Sequence, residues 1–175
     1  MAYRPVVAFD IDGVLANFTA GFSSLAASMG LISAPVKIED QASWKFDFHA
    51  DSVWAEVDKS HTFWENLPTL LTPEDLDAMD AVAAECSVIY VSARSGPRVA
   101  EQTMRWLEET GCPQGPLFLL RAKKSKAHLL TPLSHHLIGV LEDRPDTLEE
   151  LAAAGLPVVA RAWQYNRAIL SVPRV

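Results

Sequence analysis

Five short stretches of the chain are apolar on both faces and bounded by turn residues: 5–10, 87–92, 117–120, 137–142 and 157–160. A strand with one solvated face alternates apolar and polar residues, whereas a strand buried on both faces does not. These runs therefore predict parallel strands inside a sheet covered on both sides. Helical patterns separate the later runs. Residues 98–110 end at Gly111 and residues 147–154 at Gly155, each glycine placed for the left-handed conformation that terminates a helix. Strands alternating with helices of this length predict an α/β fold built on a doubly wound, mostly parallel sheet. Ligands of such sheets bind beyond the carboxyl ends of the strands, so the residues there carry the most information.

Residues 17–79 break the alternation. They hold no convincing buried strand, yet Trp44, Phe46, Phe48, Trp54, Phe63 and Trp64 concentrate aromatic surface in a short stretch. The pattern predicts a small, mostly helical cap inserted after the first strand, with residues 1–16 and 80–175 forming the core. Thr72-Pro73-Glu74-Asp75 predicts a helix start, Thr72 as its cap and Pro73 in the first helical position.

Composition narrows the function classes. At 175 residues and 49% apolar, the chain fits one domain with an insert and a sizeable core. A net charge of −7 excludes the basic stripe that a nucleic-acid polymer requires, but leaves room for a small anion reached through a bound cation. Cys86 and Cys112 have no framework spacing and read as reduced thiols. No apolar run reaches membrane-spanning length, and the N-terminus lacks a signal-peptide pattern, so a cytoplasmic protein is expected.

Candidate chemistry gathers at the strand ends. Asp10-Ile11-Asp12-Gly13-Val14-Leu15 follows the first run, and residues i and i+2 of a strand share a face. Two neighbouring carboxylates suit covalent phosphoryl transfer, one attacking while the other exchanges a proton. Glu142 and Asp143 end the fourth run in the same way. At about 4 Å and an effective dielectric near ~20, each like-charged pair costs on the order of 4 kcal/mol, so four converging carboxylates call for cations, and magnesium suits oxygen ligands. Ser92-Ala93-Arg94 ends the second run; the hydroxyl and backbone amides could hold phosphate oxygens, and Arg94 either clamps phosphate or faces solvent. Pro97 is expected to begin the next helix. Within the basic run Arg121, Lys123, Lys124, Lys126, the last is the favoured partner for the carboxylates because an apolar helical pattern starts there; Lys124 is the alternative. Asp146 with Glu149 is expected to form a capping box. His135 and His136 have no third ligand at metal spacing.

In this order the motifs resemble the haloacid dehalogenase superfamily of phosphohydrolases, across essentially the whole core. The resemblance implies that Asp10 becomes an aspartyl-phosphate, while Asp12 protonates the leaving oxygen and later activates water. It implies magnesium held by the Asp10 side chain, the Asp12 carbonyl and Asp143, with Glu142 as a further ligand. Ser92, Ala93, Arg94 and Lys126 would then bind the transferring phosphoryl group. Residues Asp12 to Phe18, the run Phe63-Trp64-Glu65-Asn66-Leu67-Pro68, the run Glu142-Asp143-Arg144-Pro145-Asp146-Thr147 and Gln164-Tyr165-Asn166 look like segments of the 5'(3')-deoxyribonucleotidase branch. That likeness implies a nucleoside monophosphate as substrate, with Phe18, Phe63 and Trp64 facing base or sugar. A sugar phosphate with the same chemistry, and a core that binds a phosphorylated ligand without turnover, are the alternatives. Oligomeric state is left open, a dimer included.

Overall fold

The computed structural model describes residues 4–120 and 124–175. Five strands form one sheet: β1 (Val6–Phe9), β2 (Ser87–Ser92), β3 (Leu117–Leu119), β4 (Leu137–Glu142) and β5 (Val158–Ala160). Their order is β3-β2-β1-β4-β5, and every pairing is parallel. All five expected strands are present, and β1 lies at the centre. The order reverses between β1 and β4, so the ends of β1, β2 and β4 flank one crevice.

Helices cover both faces: α1 (Phe18–Ser28), α2 (Ala50–Val57), α3 (Pro73–Glu85), α4 (Val99–Thr110), α5 (Lys126–Leu130) and α6 (Pro145–Ala153). Alternate strand residues feed two separate cores. Val7, Phe9, Val88 and Tyr90 pack with residues of α1 to α4, among them Phe22, Val53, Met79 and Trp106. Ala8, Ile89, Val91, Val140 and Val158 pack with Ala127 and Leu130 of α5 and Leu148 and Leu151 of α6. Apolar residues at successive positions thus face opposite layers, which is why the runs show no polar alternation.

The insert has no core of its own. Phe22, Val53, Val57 and Trp64 belong to the same cluster as Ile11, Val14 and Tyr90. It is also less helical than the aromatic pattern predicts: between α1 and α2 the chain runs through turns and one 3-10 turn at Ile38–Asp40. Stacked rings hold this coil in place, Phe22 lying 5.0 Å from Phe46 and 6.0 Å from Phe48. The chain leaves and returns through a tied stem, with Asn17 N–H donating to the Pro68 carbonyl and Leu70 N–H to the Leu15 carbonyl, both at 2.7 Å. α3 runs unbroken across residues 79 and 80.

Two local expectations are corrected. Pro97 does not begin α4: Arg98 caps that helix at φ 52°, after Gly96 at φ 112°, and the Pro97 carbonyl accepts from Gln102 Nε2 at 2.7 Å. The loop is bent back onto the insert instead of running straight into the helix. Asp146 does not cap α6 either. The cap position belongs to Arg144, whose guanidinium pairs with the Asp146 carboxylate at 2.5 and 2.6 Å.

Candidate active site

Asp10 follows β1 directly, and Glu142 and Asp143 close β4 beside it. One oxygen from each of these three buried carboxylates lies within 4.8 Å of the others. The first residue of α5 supplies the neutralising cation: Lys126 Nζ stands 2.8 Å from Asp10 Oδ1 and 2.6 Å from Glu142 Oε2. Ser125 caps α5 by accepting from His128 N–H at 2.9 Å, which fixes where Lys126 enters. Lys124 is exposed and lines the cavity above; Arg121 and Lys123 lie outside the described residues.

Glu142 is fully buried, and its Oε1 accepts the backbone N–H groups of Asp143 and Arg144, each at 3.0 Å. Its carboxylate therefore anchors Lys126 and shapes the strand end. Asp143 is less well provided for. Its Oδ2 accepts from the Tyr165 hydroxyl, and its buried Oδ1 has no partner. Gly13 presses against this group: at φ 79°, a Cβ added there would stand 2.1 Å from Asp143 Oδ2. The turn therefore requires glycine for backbone conformation and for space alike.

Burial dominates the electrostatics. It pushes the Asp10 and Asp143 carboxyls well above the usual aspartate range, the charge of Glu142 adding to both and Lys126 opposing. Burial also acts on Glu142 and on Lys126, but there it is outweighed, for Lys126 by the charges of Asp10 and then Glu142, and for Glu142 by the charge of Lys126. Glu142 is held below its ordinary value and Lys126 above. With all three carboxyls ionised, Asp10, Glu142 and Asp143 against Lys126 leave two negative charges in excess (three minus one), the charge of one divalent cation. The orphaned Asp143 oxygen and an all-oxygen donor set fit a hard ion such as magnesium.

Asp12 faces a different partner. Arg94 forks onto it, Nε at 2.9 Å from Oδ2 and Nη2 at 2.8 Å from Oδ1, while Ser92 Oγ donates to Oδ2 at 3.3 Å. Arg94 is 3% exposed, which removes the solvent-facing alternative, and its guanidinium stacks over Trp64 at 4.9 Å.

A cavity of about 830 Å³ opens over these groups. Asp10, Asp12, Ser92, Ala93, Arg94 and Lys126 line it together with Phe18, Trp44 and Trp54. Of the aromatics expected to face a substrate, Phe18 lines the cavity. Trp64 reaches its wall but is 1% exposed, and Phe63 packs edge-on against Phe18 and Trp64 without lining it. Sequence reasoning gave no site role to Trp44, Trp54, Tyr165 or Trp163. Trp163 Nε1 donates to the Gly13 carbonyl at 2.6 Å, so the C-terminal segment braces the Asp10–Gly13 turn. The aromatic crowding of the insert signalled the first two. Tyr165 lies in the Gln164-Tyr165-Asn166 segment that carried part of the resemblance, without a role attached to it, and Trp163 is brought in by long-range folding alone.

No protein-family model and no curated protein matches the chain. Solved structures do. The HAD-hydrolase YfnB from Bacillus subtilis, bound to magnesium, superposes with a TM-score of 0.58 at 10% identity, over 99% of this chain and 95% of that one. A HAD family hydrolase from Deinococcus radiodurans R1, with bound phosphate and sodium, gives 0.60 at 17% identity over 100% and 91%. CbbY from Rhodobacter sphaeroides, in complex with xylulose-(1,5)bisphosphate, gives 0.54 at 14% over 98% and 93%. The shared feature is the fold, a HAD-like Rossmann architecture of parallel strands flanked by helices.

Proposed function

We propose that this protein is a magnesium-dependent phosphomonoesterase acting on nucleoside monophosphates through an aspartyl-phosphate on Asp10. The observation that carries the proposal is the buried group Asp10, Glu142 and Asp143 around Lys126, with one Asp143 oxygen left unpaired. Such a cluster is costly to bury unless it serves a cation, and it stands at the strand ends where this fold binds ligands. Neighbours of the same fold that carry magnesium or phosphate add to the support.

Asp10, Asp143 and the Asp12 carbonyl would hold the magnesium, which when bound draws electron density from the phosphoryl group. The Asp10 carboxylate attacks phosphorus as the ester P–O bond breaks, and the departing oxygen takes a proton from Asp12. Water then attacks the aspartyl-phosphate, giving its proton to Asp12. The bond between phosphorus and Asp10 breaks, and phosphate leaves with both aspartates restored. Lys126 offsets the charge of the phosphoryl oxygens and keeps the Asp10 carboxylate in place. The Ala93 backbone would bind those oxygens, and Ser92 would join it by turning its one O–H away from Asp12.

Phe18, Trp44 and Trp54 give the cavity a planar apolar side at a distance from its charged end, which suits a nucleobase linked to a phosphate. The same cavity is lined by Asp58, Lys124 and Asp146, and those polar groups favour a sugar phosphate as the second reading. Purified protein with magnesium is expected to release phosphate from a generic phosphomonoester, and Asp10→Asn to abolish release. Turnover that survives the substitution would sink the mechanism. A panel of nucleoside monophosphates against sugar phosphates decides the substrate. Trp54→Ala, at a partly exposed wall residue, should raise KM for nucleotides selectively.

A further inference from the structure

Resting on the function above, we propose that Arg94 is a positioning residue for Asp12, and that Trp64 and Trp106 hold it in that task. Packing of the insert then sets the direction in which the proton-exchanging carboxyl points. The Arg94 side chain has no exposed surface, and its fork spans both oxygens of Asp12. Its third nitrogen, Nη1, donates to Thr103 Oγ1 at 3.2 Å. Trp64 lies 4.9 Å and Trp106 5.8 Å from the guanidinium carbon.

Both indoles are themselves tied down. Trp64 Nε1 donates to the Ser95 carbonyl and Trp106 Nε1 to the Leu67 carbonyl, each at 2.7 Å. Leu67 and Trp64 come from the insert, whereas Arg94, Thr103 and Trp106 come from the β2–α4 region. The guanidinium is thus fixed on three sides by groups that the two parts of the chain supply jointly. A cation held this way cannot follow a phosphoryl group through a reaction. It can, however, fix the two torsions that aim an aspartate. A carboxyl offers about four lone-pair sites. The fork's two short contacts take one on each oxygen; Arg94 Nε also reaches Oδ1 at 3.2 Å and Ser92 Oγ reaches Oδ2 at 3.3 Å, so the transferred proton takes the place of one of these two longer contacts.

Leaving-group dependence tests the inference. 4-Nitrophenyl phosphate expels its oxygen without needing a proton, whereas an alkyl phosphomonoester needs one. In Arg94→Met, kcat/KM is expected to fall about a hundredfold for an alkyl ester that the wild type turns over, and by about threefold or less for the nitrophenyl ester, with KM little changed. Arg94→Lys keeps a buried positive charge but cannot fork. It should show the same pattern, and it carries the test if Arg94→Met does not fold. Equal losses on both esters with a raised KM would make Arg94 a phosphate clamp and overturn the inference, as would unchanged or increased alkyl turnover. Failure of the wild type on every phosphomonoester would remove the proposed function and this inference with it. Wild-type turnover with indifferent Arg94 variants would remove this inference alone.

Discussion

At Gly13 the backbone and a buried carboxylate compete for the same space, and this makes its replacement more than a local change. Ala at position 13 would adopt φ 79° against its preference and drive a Cβ to 2.1 Å from Asp143 Oδ2. Gly30, at φ 72° with nothing within 4 Å of an added Cβ, is the matched control. Gly30→Ala should cost only the backbone term, roughly 1–2 kcal/mol by urea unfolding. Gly13→Ala should cost more, and should also shrink the rise in melting temperature that magnesium produces, because Asp143 must move. Equal losses in the two variants, with an intact magnesium response, would dissociate Gly13 from the acidic cluster.

Among the elements, α3 shows how local chemistry serves the site from a distance. It connects the returning end of the insert to β2, and its start is fixed reciprocally. Thr72 Oγ1 accepts from Asp75 N–H at 3.2 Å, and Asp75 Oδ2 accepts from Thr72 N–H at 3.0 Å. Thr72→Ala removes one half of this box and should lower stability by about 1 kcal/mol in denaturant titration. kcat should be unchanged, since no cavity residue belongs to α3. The loop before α4 behaves differently. Its left-handed Arg98 and the Ser95 hydroxyl, which donates to Asp58 Oδ1 at 3.0 Å, clamp β2's end to the insert. That conformation is maintained by contacts with the insert, so propensity could not foretell it.

For the whole molecule, the decisive quantity is the buried charge at the centre of the sheet. Asp10 and Asp143 have folded values above the ordinary 3.8 of an aspartate, with burial as the main cause. A carboxyl raised in this way holds its proton more tightly when folded. Its stabilising contribution is complete below 3.8 and is lost as pH rises through the folded value. Glu142, held below its ordinary 4.5 by Lys126, acts in the opposite sense: its stabilising contribution is present above 4.5 and is lost as pH falls through the folded value. Metal-free protein should therefore lose melting temperature as pH rises above 3.8, and magnesium should restore most of the loss. A melting temperature that is flat with pH and indifferent to magnesium would remove the cation from the account. Among the described residues no helix is long and apolar enough to cross a membrane.

The sequence by itself determined the five strands, the α/β architecture and the catalytic candidates at the strand ends. Those features rest on short-range rules: apolar runs bury on both faces, and carboxylates collect where buried strands stop. It also favoured Lys126 over Lys124 as the partner of the carboxylates, because an apolar helical pattern starts there, and the fold pairs Lys126 with Asp10 and Glu142. Tertiary structure alone decided which groups share a partner. Arg94 could be read as a phosphate clamp or a surface residue until folding placed it between two indoles and against Asp12. Of Phe63 and Trp64, packing sets Trp64 in the cavity wall with 1% of its surface exposed and leaves Phe63 behind it, while Trp44 and Trp54 join the wall. Tyr165 reaches Asp143 from twenty-two residues away. Contacts of that kind depend on the summed geometry of many elements, and no local pattern in the chain encodes them.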